Sequence, residues 1–139
     1  MIIDDCQLII ENYNLQFCEL VVMDSEELKR RTKEFAHRCV KLAVTLPNTK
    51  LGRHVQGQLI RCSTSVAANY RAANLAQTKA VFISKISIVI EETDESAFWL
   101  EFIIDEQLME KERVFPLYKE ANELTAIFIA SRKTAQKTV

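Results

Sequence analysis

The stretch QLIRCSTSVAANYRAANLAQTKAVFISKISIVIEETDESAFWLEFIIDEQLMEKERVF, residues 58–115, contains neither glycine nor proline. These are the two strongest punctuators of local structure, so a run of this length without them means long uninterrupted elements. Apolar residues recur through it at helical spacing: Phe82, Ile86, Val89, Leu100 and Ile103 form one row, with Thr93 and Ser96 completing it. Ile83, Ile90, Ala97 and Ile104 follow at seven-residue steps on a neighbouring face. The pattern predicts a helix over about 79–111 and an all-α, up-down four-helix bundle for the chain. Phe98, Trp99 and Phe102 widen the apolar surface around much of this helix, so it needs cover on more than one side. Self-association is the expected second cover.

Working outward, the only glycines and prolines are Pro47, Gly52, Gly57 and Pro116. Asp24-Ser25-Glu26-Glu27 reads as a helix start, with Asp24 or Ser25 as cap and acids at the positive end of the helix. Leu28, Thr32, Phe35, Cys39, Ala43 and Leu46 then mark one face of a first helix, which Pro47-Asn48 ends. A second helix is predicted from about Lys50 to Ala73, with Leu51, Val55, Leu59, Cys62, Val66 and Tyr70 inward. Its second half is rich in small residues (Ser63, Ser65, Ala67, Ala68, Ala72, Ala73), which lets a neighbouring helix come close. Asn74–Thr78 connects it to the third helix, with Thr78 as cap. Phe115-Pro116 is expected to open the fourth helix, with Leu117, Ala121, Leu124, Phe128 and Ser131 inward. Tyr70, Phe82 and Trp99 are the expected large packing residues. The domain is thus 23–139, and residues 1–22 read as a weakly structured or partner-covering arm, or as an upstream mis-assigned start.

Composition narrows the class. Nearly half of the 139 residues are hydrophobic, which excludes wholesale disorder. Cys6, Cys18, Cys39 and Cys62 show no CxxC pairing, a usage that suits reduced thiols in the cytoplasm. No apolar run approaches the ~20 residues of a membrane span. The formal net charge is −1, but the distribution is uneven. Residues 1–27 hold seven acids and no base, and residues 28–90 hold twelve Lys or Arg against the single acid Glu34. Residues 91–123 then hold eleven acids against three bases. Either the basic and acidic helices neutralise each other, within or between subunits, or a basic face is left for phosphates.

Signals for catalysis are weak. Glu34 and His37 have the Glu-x-x-His spacing of di-metal bundles, but a second pair is missing, since His54 follows Leu51 at that spacing. The acids Glu91, Glu92, Asp94, Glu95 and Glu101 are too dense on one helix to single out a desolvated catalytic pair. There is no phosphate loop, nucleophile elbow or dinucleotide fingerprint. No catalytic residue, metal or cofactor is therefore expected. The basic residues are more informative. Arg53 and Arg71 lie eighteen residues apart, five full turns, and share one face of the second helix. With Lys50, Arg30 and Arg31 they are candidates for contact with a nucleic-acid backbone. Arg61 lies roughly 80° round from them. It is expected in a polar network with Lys85, Glu92 and Glu95, between helices or between subunits.

From Leu46 to Ile103 the chain resembles the bacterial four-helix-bundle family of proteins encoded within 23S rRNA intervening sequences. The residues that carry the likeness are Leu46-Pro47, Gly52-Arg53-His54, the stretch Gln58–Ser65, Ala68–Arg71, Phe82, Lys85, Glu92, Glu95 and Trp99-Leu100. Ala72, Val81 and Glu91 depart from the usual pattern. The resemblance implies a left-handed bundle assembling into a homo-oligomeric ring, commonly a pentamer, with no enzymatic activity. A related branch, the accessory variability determinant of diversity-generating retroelements, binds nucleic acid and a reverse transcriptase. The expectation is a non-enzymatic homo-oligomer associated with RNA or a ribonucleoprotein. The alternative is a structural or protein-adaptor oligomer whose charges are paired internally.

Overall fold

The computed structural model describes residues 24–137; the arm of residues 1–22, with Cys6 and Cys18, lies outside the described residues. The described residues form four helices: α1 (Ser25–Ala43), α2 (Lys50–Ala73), α3 (Lys79–Asp105) and α4 (Lys111–Lys137). The first three begin at side-chain caps. Asp24 accepts from the Glu27 N–H at 2.9 Å, Thr49 from Gly52 at 3.0 Å and Thr78 from Val81 at 3.2 Å. Each bond satisfies a backbone donor that the helix itself leaves unpaired, for about 1 kcal/mol.

Helices adjacent in sequence pack against each other, and α1 closes the bundle more lightly against α4. Connections of five or six residues are too short to return the chain to its starting end, so successive helices run antiparallel. Cross-contacts agree: His54 meets Trp99, while Cys62, two turns further along α2, meets Ser96, one turn earlier on α3. The core takes the expected inner rows of α1, α3 and α4 almost unchanged, with Phe35, Leu59, Tyr70, Ile86, Leu100 and Phe128 among its largest members. Its buried threonine hydroxyls are satisfied locally. Thr32 and Thr93 donate to the carbonyls of Leu28 and Val89, one turn earlier, at 2.9 and 2.7 Å.

Several boundaries differ from the sequence expectation. Helix α3 stops at Asp105, where a helix to about 111 is predicted. Gln107 adopts φ 52°, and its N–H donates to the Ile104 carbonyl while that of Leu108 reaches the Ile103 carbonyl, both at 3.0 Å. This is a Schellman stop built without the usual glycine, which is why composition does not announce it. Leu108 packs onto the core behind the turn. Helix α4 begins at Lys111, and Pro116 sits inside it, not in its first turn. Helix α1 ends at Ala43, ahead of Pro47, although Leu46 in the following turn is still buried. Leu51 is 38% exposed and Gly52 is buried beside it, because the inner face of α2 starts at Gly52. Trp99 is only partly buried, unlike Tyr70 and Phe82.

The two glycines of α2 have opposite roles. A Cβ on Gly52 would lie 1.9 Å from the Pro47 carbonyl oxygen, so the α1–α2 turn closes on α2 only because position 52 has no side chain. A Cβ on Gly57 meets nothing within 4 Å. Gly52→Ala is expected to destabilise the fold by at least about 2 kcal/mol, through displacement of backbone. Gly57→Ala should instead stabilise it by about 0.5–1 kcal/mol, through helix propensity. Urea unfolding of the two variants checks both signs.

Candidate functional site

Two surfaces bring the sequence-selected residues together. The first is the seam between α2 and α3. Arg61 reaches across to pair with Glu95 and, at 3.2 Å, with Glu92. One turn inward, Ser96 Oγ donates to the Glu92 carbonyl at 2.8 Å and lies 3.2 Å from Cys62 Sγ. Further along, the His54 and Trp99 rings meet edge to face, 5.6 Å between centroids. Trp99 also contacts Phe98 and Phe102, and its buried Nε1–H has no hydrogen-bond partner among the described residues. Phe98 itself is 53% exposed. Lys85, grouped with this network by sequence, makes no ion pair among the described residues; the seam's carboxylates are taken by Arg61.

The second surface is a groove of about 820 Å³ between α1 and α2. Its floor is Ala36, Val40, Ala67 and Ala68, and its rim carries Lys29, Arg30, Lys33, His37 and Arg71, with Glu26 the one acid. The small residues of α2 are expected to draw a neighbour close. Ser63 and Ala73 do so and are buried, whereas Ala67 and Ala68 are too short to fill the space beside α1 and leave the groove open. On the rim, Lys29 pairs with Glu26, and Arg30 with Glu27 and Glu34, all within α1. The Arg30 partner holds the Glu27 carboxyl below its usual range, by a direct hydrogen bond before charge alone. Lys33 and Arg71 are exposed and make no ion pair among the described residues.

The remaining candidates scatter. Arg53 shares a helix face with Arg71, but eighteen residues put them roughly 27 Å apart along α2. It donates to the Asn48 side chain at 3.0 Å, bracing the α1–α2 turn, with exposed Lys50 nearby in sequence. Arg31 turns the other way. It is 12% exposed and pairs with Glu120 and, at 2.7 Å, with Glu123 of α4. Burial works against its charge, and the two carboxylates overcome that and push its pKa up. Its guanidinium is therefore withdrawn from any backbone-binding surface, contrary to the sequence expectation. Glu34 accepts from Arg30 at 2.7 Å and His37 lies on the groove rim, so the Glu-x-x-His pair is split between an ion pair and a groove. Among the described residues no cluster of three or more His, Cys, Asp or Glu is placed to hold a metal. No helix among them is long and apolar enough to cross a membrane. Cys39 and Cys62 are buried free thiols, and burial pushes both pKa values up.

Residues 25–130 match the family described as 23S rRNA-intervening sequence protein. The chain belongs to that family. No match was found among functionally curated proteins. The fold is similar to the 1.70 Å crystal structure of a protein of unknown function from the S23 ribosomal protein family of Bacteroides thetaiotaomicron. The TM-score is 0.73 at 32% identity, over 80% of this chain and 99% of that one. In this intervening-sequence family member, the residues that carry the sequence resemblance fall mainly on α2 and α3, including Arg61, Glu92, Glu95 and Trp99 of the seam.

The two arginine clusters should respond differently to truncation. Arg31→Ala leaves Glu120, only 17% exposed, without its partner, and is expected to cost about 1–3 kcal/mol. Arg61 is 49% exposed, and Arg61→Ala should cost no more than about 1 kcal/mol. Chemical denaturation of the two variants under identical salt checks the order.

Proposed function

We propose that the protein is a non-enzymatic, RNA-associated scaffold that holds a phosphate backbone in the α1–α2 groove. The observation that carries this reading is the division of the basic segment. Of its twelve cations, Lys29, Arg30, Arg31 and Arg61 are the ones in ion pairs among the described residues. Lys33 and Arg71 line the same open groove from its two helices and make no ion pair among the described residues. A polyanion satisfies such a rim, and counterion release makes its binding salt-dependent. The exposed Lys50 and Arg53 extend the basic surface towards the other end of α2. In this reading the protein is cytoplasmic, the bundle is left-handed, and copies assemble into a ring.

A second reading, a structural or adaptor oligomer, draws on a different observation. Phe98 is exposed, Leu51 is exposed near the start of α2, and the Trp99 Nε1–H has no partner among the described residues. These features of α2 and α3 suit the expected second cover for α3, by another copy. The two readings are compatible when the seam assembles the oligomer and the groove stays outside it.

Anisotropy of a labelled structured RNA, titrated over a salt series, tests the first reading. Saturable binding is expected, and Lys33→Glu with Arg71→Glu should weaken it and lower the slope of log K against log salt by about 2. The sedimentation profile should stay that of the unaltered protein. Absence of binding at low salt, or an unaffected double variant, would overturn the groove reading.

A further inference from the structure

A second cationic site lies on the opposite flank of α1, where no sequence motif points. Arg38 and Lys41 of α1 and Arg113 of α4 line a pocket of about 290 Å³ together with exposed Pro116 and the nearly buried Leu42 and Leu117. All three cations are exposed, and none makes an ion pair among the described residues. Glu112, the acid of the same α4 turn, does not line the pocket. Three like charges around one small space repel each other. Arg113 also stands in the first turn of α4, where the helix dipole is itself positive and disfavours a cation. An anion relieves both costs. The volume sits at the foot of the ~300–1,000 Å³ range of small-molecule sites, so a small ligand fits better than a segment of macromolecule.

We propose that this α1–α4 pocket is a phosphomonoester site, built to take a terminal phosphate carried on a nucleoside-sized group. A phosphomonoester brings nearly two negative charges at neutral pH and three acceptor oxygens, a match for the three cations that line the pocket. Two of these are arginines, whose planar forks pair with phosphate oxygens in a bidentate way. Exposed Pro116 beside the cations gives the group attached to the phosphate an apolar edge to lie against, which a site for inorganic phosphate does not need. Two sources present the same chemistry: a free mononucleotide, and the 5′-phosphorylated end of an RNA strand. The site is separate from the α1–α2 groove and does not depend on that groove binding RNA.

Calorimetric titration of the full chain with adenosine 5′-monophosphate, adenosine, and a short RNA carrying either a 5′-phosphate or a 5′-hydroxyl tests the proposal. At least one phosphate-bearing probe should bind at least about tenfold more tightly than its phosphate-free counterpart, the weight of one charge-assisted hydrogen bond. Preference confined to the mononucleotide assigns the free ligand, and preference shown by the RNA pair assigns the strand end. Arg113→Glu should remove that preference, and Arg113→Gln should reduce it without reversing a charge. Arg71→Glu, in the groove, should leave it intact. Equal binding with and without the phosphate, no binding of any probe, or a preference that survives Arg113→Glu in a protein with an unchanged melting curve would overturn the proposal.

Discussion

Helix α2 meets each of its neighbours at one point through side chains no larger than a thiol. On one flank Ser63 lies against the Cys39 thiol of α1, and on the other Cys62 lies against the Ser96 hydroxyl of α3. Adjacent positions on one helix thus fix the approach of two others. Around these contacts Val55, Leu59, Val66 and Tyr70 are almost wholly buried. Packing this close leaves no room for relaxed alternatives, because interiors are packed at crystal-like density and respond to single methylenes. The thiols stay protonated because burial disfavours the thiolate, so they act as small apolar groups with weak hydrogen bonds and not as reactive centres.

The same close contacts decide which charges meet. Drawing α3 against α2 sets Glu92 and Glu95 opposite Arg61, and closing α4 against α1 sets Glu120 and Glu123 opposite Arg31. The acidic segment is therefore used for interhelical pairing at two seams. On the α1–α2 flank both helices come from the basic segment, so pairing there is limited to carboxylates of α1 itself. The near-neutral total conceals this: a chain of net charge −1 presents cationic surface because its acids and bases occupy different helices.

Much of the architecture was legible in the sequence because helical periodicity reports directly on burial. The rows beginning at Leu28, Phe82 and Leu117 are inward in the fold, and Asp24 and Thr78 cap their helices. The misses share a cause: they depend on contacts remote in sequence or on conformations that composition does not mark. Gln107 stops α3 in a left-handed conformation usually given to glycine. Pro116 reads as a helix start, yet the helix begins five residues earlier. Arg31 and Glu120 lie 89 residues apart, so the sequence does not name the partner of Arg31, although helical geometry sets Arg31 on the flank of the inward row of α1 and Arg30 opposite it. The groove was half visible: Arg30 and Arg71 were candidates, but Lys29 and Lys33 were not, and the alanines of α2 that open it read as close-packing residues.

The proposed function requires that the lysines of the basic segment that make no ion pair among the described residues remain outward in the native protein. Quantitative acetylation of the native protein, read by peptide mass spectrometry against urea-unfolded protein, measures this directly. Lys33, Lys41, Lys50 and Lys79 should react at nearly the unfolded rate. Strong protection of all four would contradict the account, because it would mean that these charges are spent inside the assembly and that no cationic surface is free for phosphate.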